Sequence, residues 1–121
     1  MGTKQSINQI CRLLGNEYHI KDFDLEKCIY RSFGNGFDIE ISNIGSSSSK
    51  KPVNIYLWFG DRKQGYIIVR SVIGITRSAE CISNAVESLW NYSQELLGSG
   101  YDTRDKLLYL RFPNLKPENF G

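Results

Sequence analysis

Apolar and polar residues alternate strictly in two stretches of the chain, and each stretch predicts a strand with one face in a core. Between positions 37 and 42, Phe37, Ile39 and Ile41 fall on one face, and Asp38, Glu40 and Ser42 on the other. From Val53 to Phe59, Val53, Ile55, Leu57 and Phe59 form one face, and Asn54, Tyr56 and Trp58 form the other. Tyr66 to Ile73 reads as a further strand, turned back onto the second by the loop from Gly60 to Gly65. Cys28 to Phe33 is β-prone, and Gly34-Asn35-Gly36 is a turn that tolerates positive φ, so a hairpin leads into Phe37. Tyr18 to Lys27 reads as a short edge strand or an extended loop.

The helical period appears near each end. Ile7, Ile10, Cys11 and Leu14 recur on one helical face, which predicts a helix from about Lys4 to Leu14, with Thr3 as cap and Gly15-Asn16 as stop. Ile82, Ala85, Val86, Leu89 and Leu96 share a face over Ser78 to Leu97. Ser78 or Thr76 caps that helix and Gly98 ends it. Leu107 to Phe112 reads as a last strand, before Pro113 and Pro117. The expected order is α-β-β-β-β-β-α-β. This is an α+β single domain over residues 1–121, with an antiparallel sheet of about five strands and two helices on one face. Residues 45–52 read as a flexible Ser-rich loop, and 113–121 as an irregular tail.

A chain of 121 residues is long enough for one core without a metal or disulfide staple. The net charge of +2 is nearly balanced, but unevenly spread. Glu17 to Ile44 holds six acids against three bases, and residues 45–121 hold ten bases against seven acids. An acidic half favours a basic partner. Cys11, Cys28 and Cys81 are an odd, widely spaced set without a CxxC, which excludes a disulfide framework and a zinc knuckle. Cys11 and Cys81 fall in helical patterns and are expected as buried, inert thiols. No secretory leader or stretch of 18 apolar residues is seen in the sequence. A cytoplasmic protein without cofactor, metal or membrane association is expected.

Candidate chemistry is sparse. His19 is the only histidine, with Asp22 and Asp24 nearby, and no nucleophile in a strained turn accompanies it. Asp22 and Asp24 would share a strand face and offer two oxygen ligands, too few for a metal site alone. Tyr56 and Trp58 lie one pleat apart, and Arg62, Lys63 and Arg70 come from the adjoining loop and strand. Such rings beside cations stack bases and hold phosphates. The same rings serve equally under a helix, or as anchors of a protein interface. Binding is therefore expected in place of catalysis, and no catalytic residue is assigned.

The acidic strand with Asp38 and Glu40, beside the aromatic pair Tyr56 and Trp58, resembles the build of immunity proteins of bacterial contact-dependent and other polymorphic toxin systems. The resemblance implies a small α+β binder that neutralises a cognate toxin domain by direct protein–protein contact, with Asp38, Glu40, Tyr56 and Trp58 as partner-binding residues. The opening Ile10-Cys11-Arg12-Leu13-Leu14-Gly15, followed by strands, is similar to type III secretion chaperones. Those are usually acidic and close with a helix, whereas this chain has a pI near 8.4 and a strand expected at its end. A nucleic-acid-binding module using the aromatic and basic sheet face is the other alternative.

Overall fold

A computed structural model of the protein describes residues 7–23, 26–44, 51–61 and 65–111. Helix α1 (Ile7–Leu14) precedes strands β1 (His19–Phe23), β2 (Glu26–Ser32), β3 (Phe37–Ser42), β4 (Val53–Asp61) and β5 (Gly65–Ile75). Helices α2 (Ala79–Gly98) and α3 (Arg104–Arg111) follow. The strands form one antiparallel sheet in sequence order, β1-β2-β3-β4-β5, so each strand pairs with the next along the chain. This is the α+β, single-domain architecture expected from the pattern.

The alternation on β3 and β4 sets which side of the sheet is inside. Phe37, Ile39, Ile41, Val53, Ile55, Leu57 and Phe59 are all buried. They face Ile10 of α1, Ile82, Val86, Leu89 and Leu96 of α2, and Leu107 of α3 in one core. Every buried apolar residue of β3 and β4 has the same parity, so the helices pack on that face. Half the strand positions remain on the other face.

The turn between β2 and β3 is fastened to α2. The Asn35 side-chain amide donates to Ser93 Oγ at 3.2 Å, and its carbonyl oxygen accepts from Phe37 N at 3.1 Å. Ser93 is fully buried and donates in turn to the Trp90 carbonyl at 2.7 Å. Phe33 meets the Trp90 ring edge-on, with centroids 5.1 Å apart. A buried serine in a helix is thus satisfied on both sides, as burial of a hydroxyl requires.

Three expectations are corrected. The segment expected as a final strand, Leu107 to Phe112, is helical as far as Arg111, so the chain has three helices and no strand after α2 among the described residues. An apolar run of this length fits helix or strand equally, and the capping residues decide. Thr103 Oγ1 accepts from Lys106 N at 3.3 Å, the Thr103 carbonyl accepts from Leu107 N at 3.1 Å, and Asp102 pairs with Lys106 one turn on. Leu107 and Leu110, three apart, then share the face that meets the core. Second, α2 runs through Gly98. Gly100, at φ 88°, makes the stop: its N–H bonds the Leu97 carbonyl and the Tyr101 N–H bonds the Leu96 carbonyl, the pair of a Schellman end. Third, Cys81 is exposed, because it stands off the Ile82–Val86–Leu89 face. Thr3, most of the Ser-rich loop and the 113–121 tail lie outside the described residues.

Gly36 has φ 95°, and a Cβ there would lie 2.9 Å from the Phe59 ring. Gly36→Ala should therefore cost about 1–3 kcal/mol, from backbone strain and the displaced ring together. A chemical-denaturation midpoint unchanged from the parent would show that the turn tolerates a side chain.

Candidate functional site

The face of the sheet away from the helices carries the four residues expected to bind a partner, and it holds them together. Across β3 and β4, Asp38 lies opposite Trp58 and Glu40 opposite Tyr56. Tyr30 of β2 extends the second row beyond Glu40, and His19 of β1 lies beyond Tyr30. Ile68 of β5 extends the first row beyond Trp58, and Ser71 lies beyond Tyr56. Tyr66 pairs with Gly60, and its ring occupies the space a Cβ at Gly60 would need. The face therefore assembles Tyr30, Tyr56, Trp58 and Tyr66 around two carboxylates. No described helix residue belongs to it.

Hydrogen bonds lock the polar groups of this face. Trp58 Nε1 donates to Glu40 Oε1 at 3.1 Å, a diagonal contact across β3 and β4. Asp38 lies beside the Tyr30 hydroxyl, and the Lys21 ammonium sits 3.9 Å from the centre of the Tyr30 ring. Glu26, next to this face, accepts from Ser42 Oγ at 3.4 Å and from Asn43 N at 2.8 Å. Asp38, Glu40, Tyr56 and Trp58 are each half-buried, while Tyr66 is 62 % exposed. A ring held by a hydrogen bond, as Trp58 is by Glu40, loses little freedom on binding, which suits it as an anchor.

Burial raises the Glu40 pKa above the ordinary carboxylate value, the Trp58 N–H opposes the rise, and nearby Glu26 adds to it. Burial, then the Asp38 hydrogen bond, pushes the Tyr30 phenol up to about 12. Cys28 lies under the same face, 2 % exposed; burial first, then Glu40 and Glu26, push its thiol up to about 11. A thiol so protonated is a poor nucleophile at neutral pH. Burial and the neighbouring carboxylates thus keep both the Cys28 thiol and the Tyr30 phenol protonated at neutral pH.

The rival constellations are not assembled in the same way. Arg70 was expected beside Tyr56 and Trp58. It pairs with Leu57, because a bulge between the Leu57 and Trp58 pairings advances β5 by one residue and turns Arg70 to the helix side. There its guanidinium lies 4.6 Å from the centre of the Tyr92 ring. Arg62 and Lys63 lie outside the described residues, as does Asp24. His19 is exposed at the start of β1, and Asp22, three residues on, has the opposite parity. Among the described residues no group of three or more His, Cys, Asp or Glu is placed to hold a metal. No described helix is long and apolar enough to cross a membrane.

Comparison with protein families, with curated proteins and with solved structures finds no match to this chain. The reading of the site accordingly rests on its own geometry.

Sequence reasoning missed Tyr30 and Tyr66. The strand containing Tyr30 lacks a clean alternation, because Arg31 takes a core-side position opposite Ile39. Its guanidinium donates to the Tyr18 hydroxyl at 3.1 Å and lies 5.2 Å from the Tyr18 and Phe33 rings.

Glu40 gives a signed pH dependence. Its folded pKa lies above the unfolded value, so folding binds the proton more tightly, and the associated stability is full at low pH. It is lost as pH rises from about 4.5 through the raised folded value. Glu40→Gln removes this loss, so its stability relative to the parent should improve as pH rises through that window and then level off. A pH-independent difference in unfolding free energy would contradict the assignment. The thiols give a second check. An aromatic disulfide reagent at pH 8 should label Cys81 in the folded protein and reach Cys28 only on unfolding. Equal labelling rates for both would place Cys28 at the surface.

Proposed function

We propose that the chain is a non-catalytic binding protein that neutralises a toxin domain by direct contact through the open face of its sheet. The observation that carries this reading is the joined set Asp38, Glu40, Tyr56 and Trp58, with Tyr30 and Tyr66 beside it. Aromatic rings around carboxylates form an apolar centre with negative charge, which complements a basic surface such as that of a nuclease domain. Asp38 and Glu40 steer the approach, and the rings supply the contact area once water leaves. The partner is a protein and not a nucleic acid in this reading: the charges beside the rings are anionic, and Arg70 stands across the sheet from them.

A second reading, a chaperone for a secreted protein, gains from α3, since the last described element is a helix, not the strand expected there, and those chaperones usually close with a helix. Both readings place a protein partner on this chain. They differ in whether the partner is toxic when produced alone.

The test begins with co-purification of the tagged protein from its native host and expression of the captured protein by itself. In the toxin reading, that protein arrests growth alone and the arrest is relieved by the chain. Asp38→Lys with Glu40→Lys should slow association about tenfold or more at low salt and flatten its salt dependence. Asp38→Asn with Glu40→Gln should give a smaller change in the same direction, and Arg70→Glu none. Unchanged association kinetics in both charge variants, with folding intact, would overturn the open face as the binding surface. A captured protein harmless by itself would overturn the toxin.

A further inference from the structure

Helix α1 and the start of β1 frame a cavity at the other end of the sheet from β5. Asn8, Arg12 and Asn16 recur at four-residue steps, so they stand in one line along α1 and the turn that follows it. In that turn the Tyr18 N–H bonds the Gly15 carbonyl at 3.3 Å, and the chain comes back with His19 beside the line. The cavity between them measures about 540 Å³, with Asn8, Arg12, Asn16 and His19 on its walls. Cys11 and Ile20, both packed against the core, also line it, and the Cys11 Sγ donates to the Tyr18 carbonyl at 3.4 Å.

We propose that this cavity binds a small phosphate monoester, held through its phosphate group. The four polar side chains on its walls all carry N–H donors: a planar fork on Arg12, a carboxamide on Asn8 and on Asn16, and an imidazole on His19. No carboxylate stands among the described residues that line it. Among the described residues none of the four donors is spent on a hydrogen bond or ion pair within the chain. All four residues are exposed, so a ligand reaches them without displacing a packed group. A single guanidinium fork already fills a carboxylate, whereas the three outer oxygens of a phosphate accept from several donors converging from two elements. The cavity is several times larger than a phosphate group, and its polar walls suit a polar body such as a sugar. Glu17 opposes the anion, since its Oε2 lies 3.0 Å from where a Cβ on Gly15 would stand. The proposal does not rest on the toxin reading, because Asp38, Glu40, Tyr56 and Trp58 take no part in it.

Titration of the isotope-labelled full chain with ribose 5-phosphate at neutral pH, followed by its amide NMR shifts, tests the proposal. The amides of Arg12, Gly15, Asn16 and His19 should shift and saturate, inorganic phosphate should compete for them, and ribose alone should move none of them. Arg12→Gln should weaken binding by about tenfold or more with the thermal midpoint unchanged, as loss of a charge-assisted contact requires. His19→Ala should weaken it less, and Glu17→Gln should tighten it. Asp38→Asn with Glu40→Gln should leave it as in the parent. Shifts that never saturate, or that spread evenly over Lys27, Arg70 and Lys106, would overturn the proposal. So would binding indifferent to Arg12→Gln, or ribose moving the same amides as its phosphate.

Discussion

Burial of one face of β3 and β4 is the constraint on which the rest of this structure depends. Phe37, Ile39 and Ile41 on β3 and Val53, Ile55, Leu57 and Phe59 on β4 are buried together under the helices. A slip of one residue between these strands would send every one of them to water, so the register has no near competitor. That register also decides what the opposite face displays. Once Ile39 is inside, Asp38 and Glu40 must be outside, and once Leu57 is inside, Tyr56 and Trp58 must be outside with them. Core and candidate interface are two readings of a single alternation.

Helix α2 fixes this arrangement from one side. It meets the sheet through Ile82, Val86, Leu89 and Leu96, and it holds the β2–β3 turn through Ser93 and Trp90. The turn can lie close because Gly36 leaves room for the Phe59 ring. The helix layer therefore supports the far side of the strands, while the open face is free of the packing demands that fill a core. Half-buried rings carried by the strands alone are what such a face presents. Its Glu40 carboxylate is held by Trp58, so its position is set before any partner arrives.

The alternating strands were fully legible in the sequence, because period-two burial leaves a direct trace. The two longer helical patterns were legible for the same reason. The grouping of Asp38, Glu40, Tyr56 and Trp58 followed from adjacency of two strands whose faces were already known. Three features were not legible. Strand β2 conceals its parity because Arg31 lies on the core side, bonded to the Tyr18 hydroxyl, and this hid Tyr30. Arg70 was placed wrongly because a bulge leaves no compositional mark, and a shift of one residue reverses a side chain. The final segment was read as a strand because four consecutive apolar or aromatic residues carry no period. The decisive signal was Thr103 as cap, four residues before Leu107.

Hydroxyl-radical footprinting of the free chain against its complex with the captured partner tests the central claim most directly. The account predicts protection of Tyr56, Trp58 and Tyr66 on the open face, with Trp90 and Tyr92 of α2 unchanged. Protection confined to Trp90 and Tyr92, or to none of these rings, would contradict it and place the working surface elsewhere.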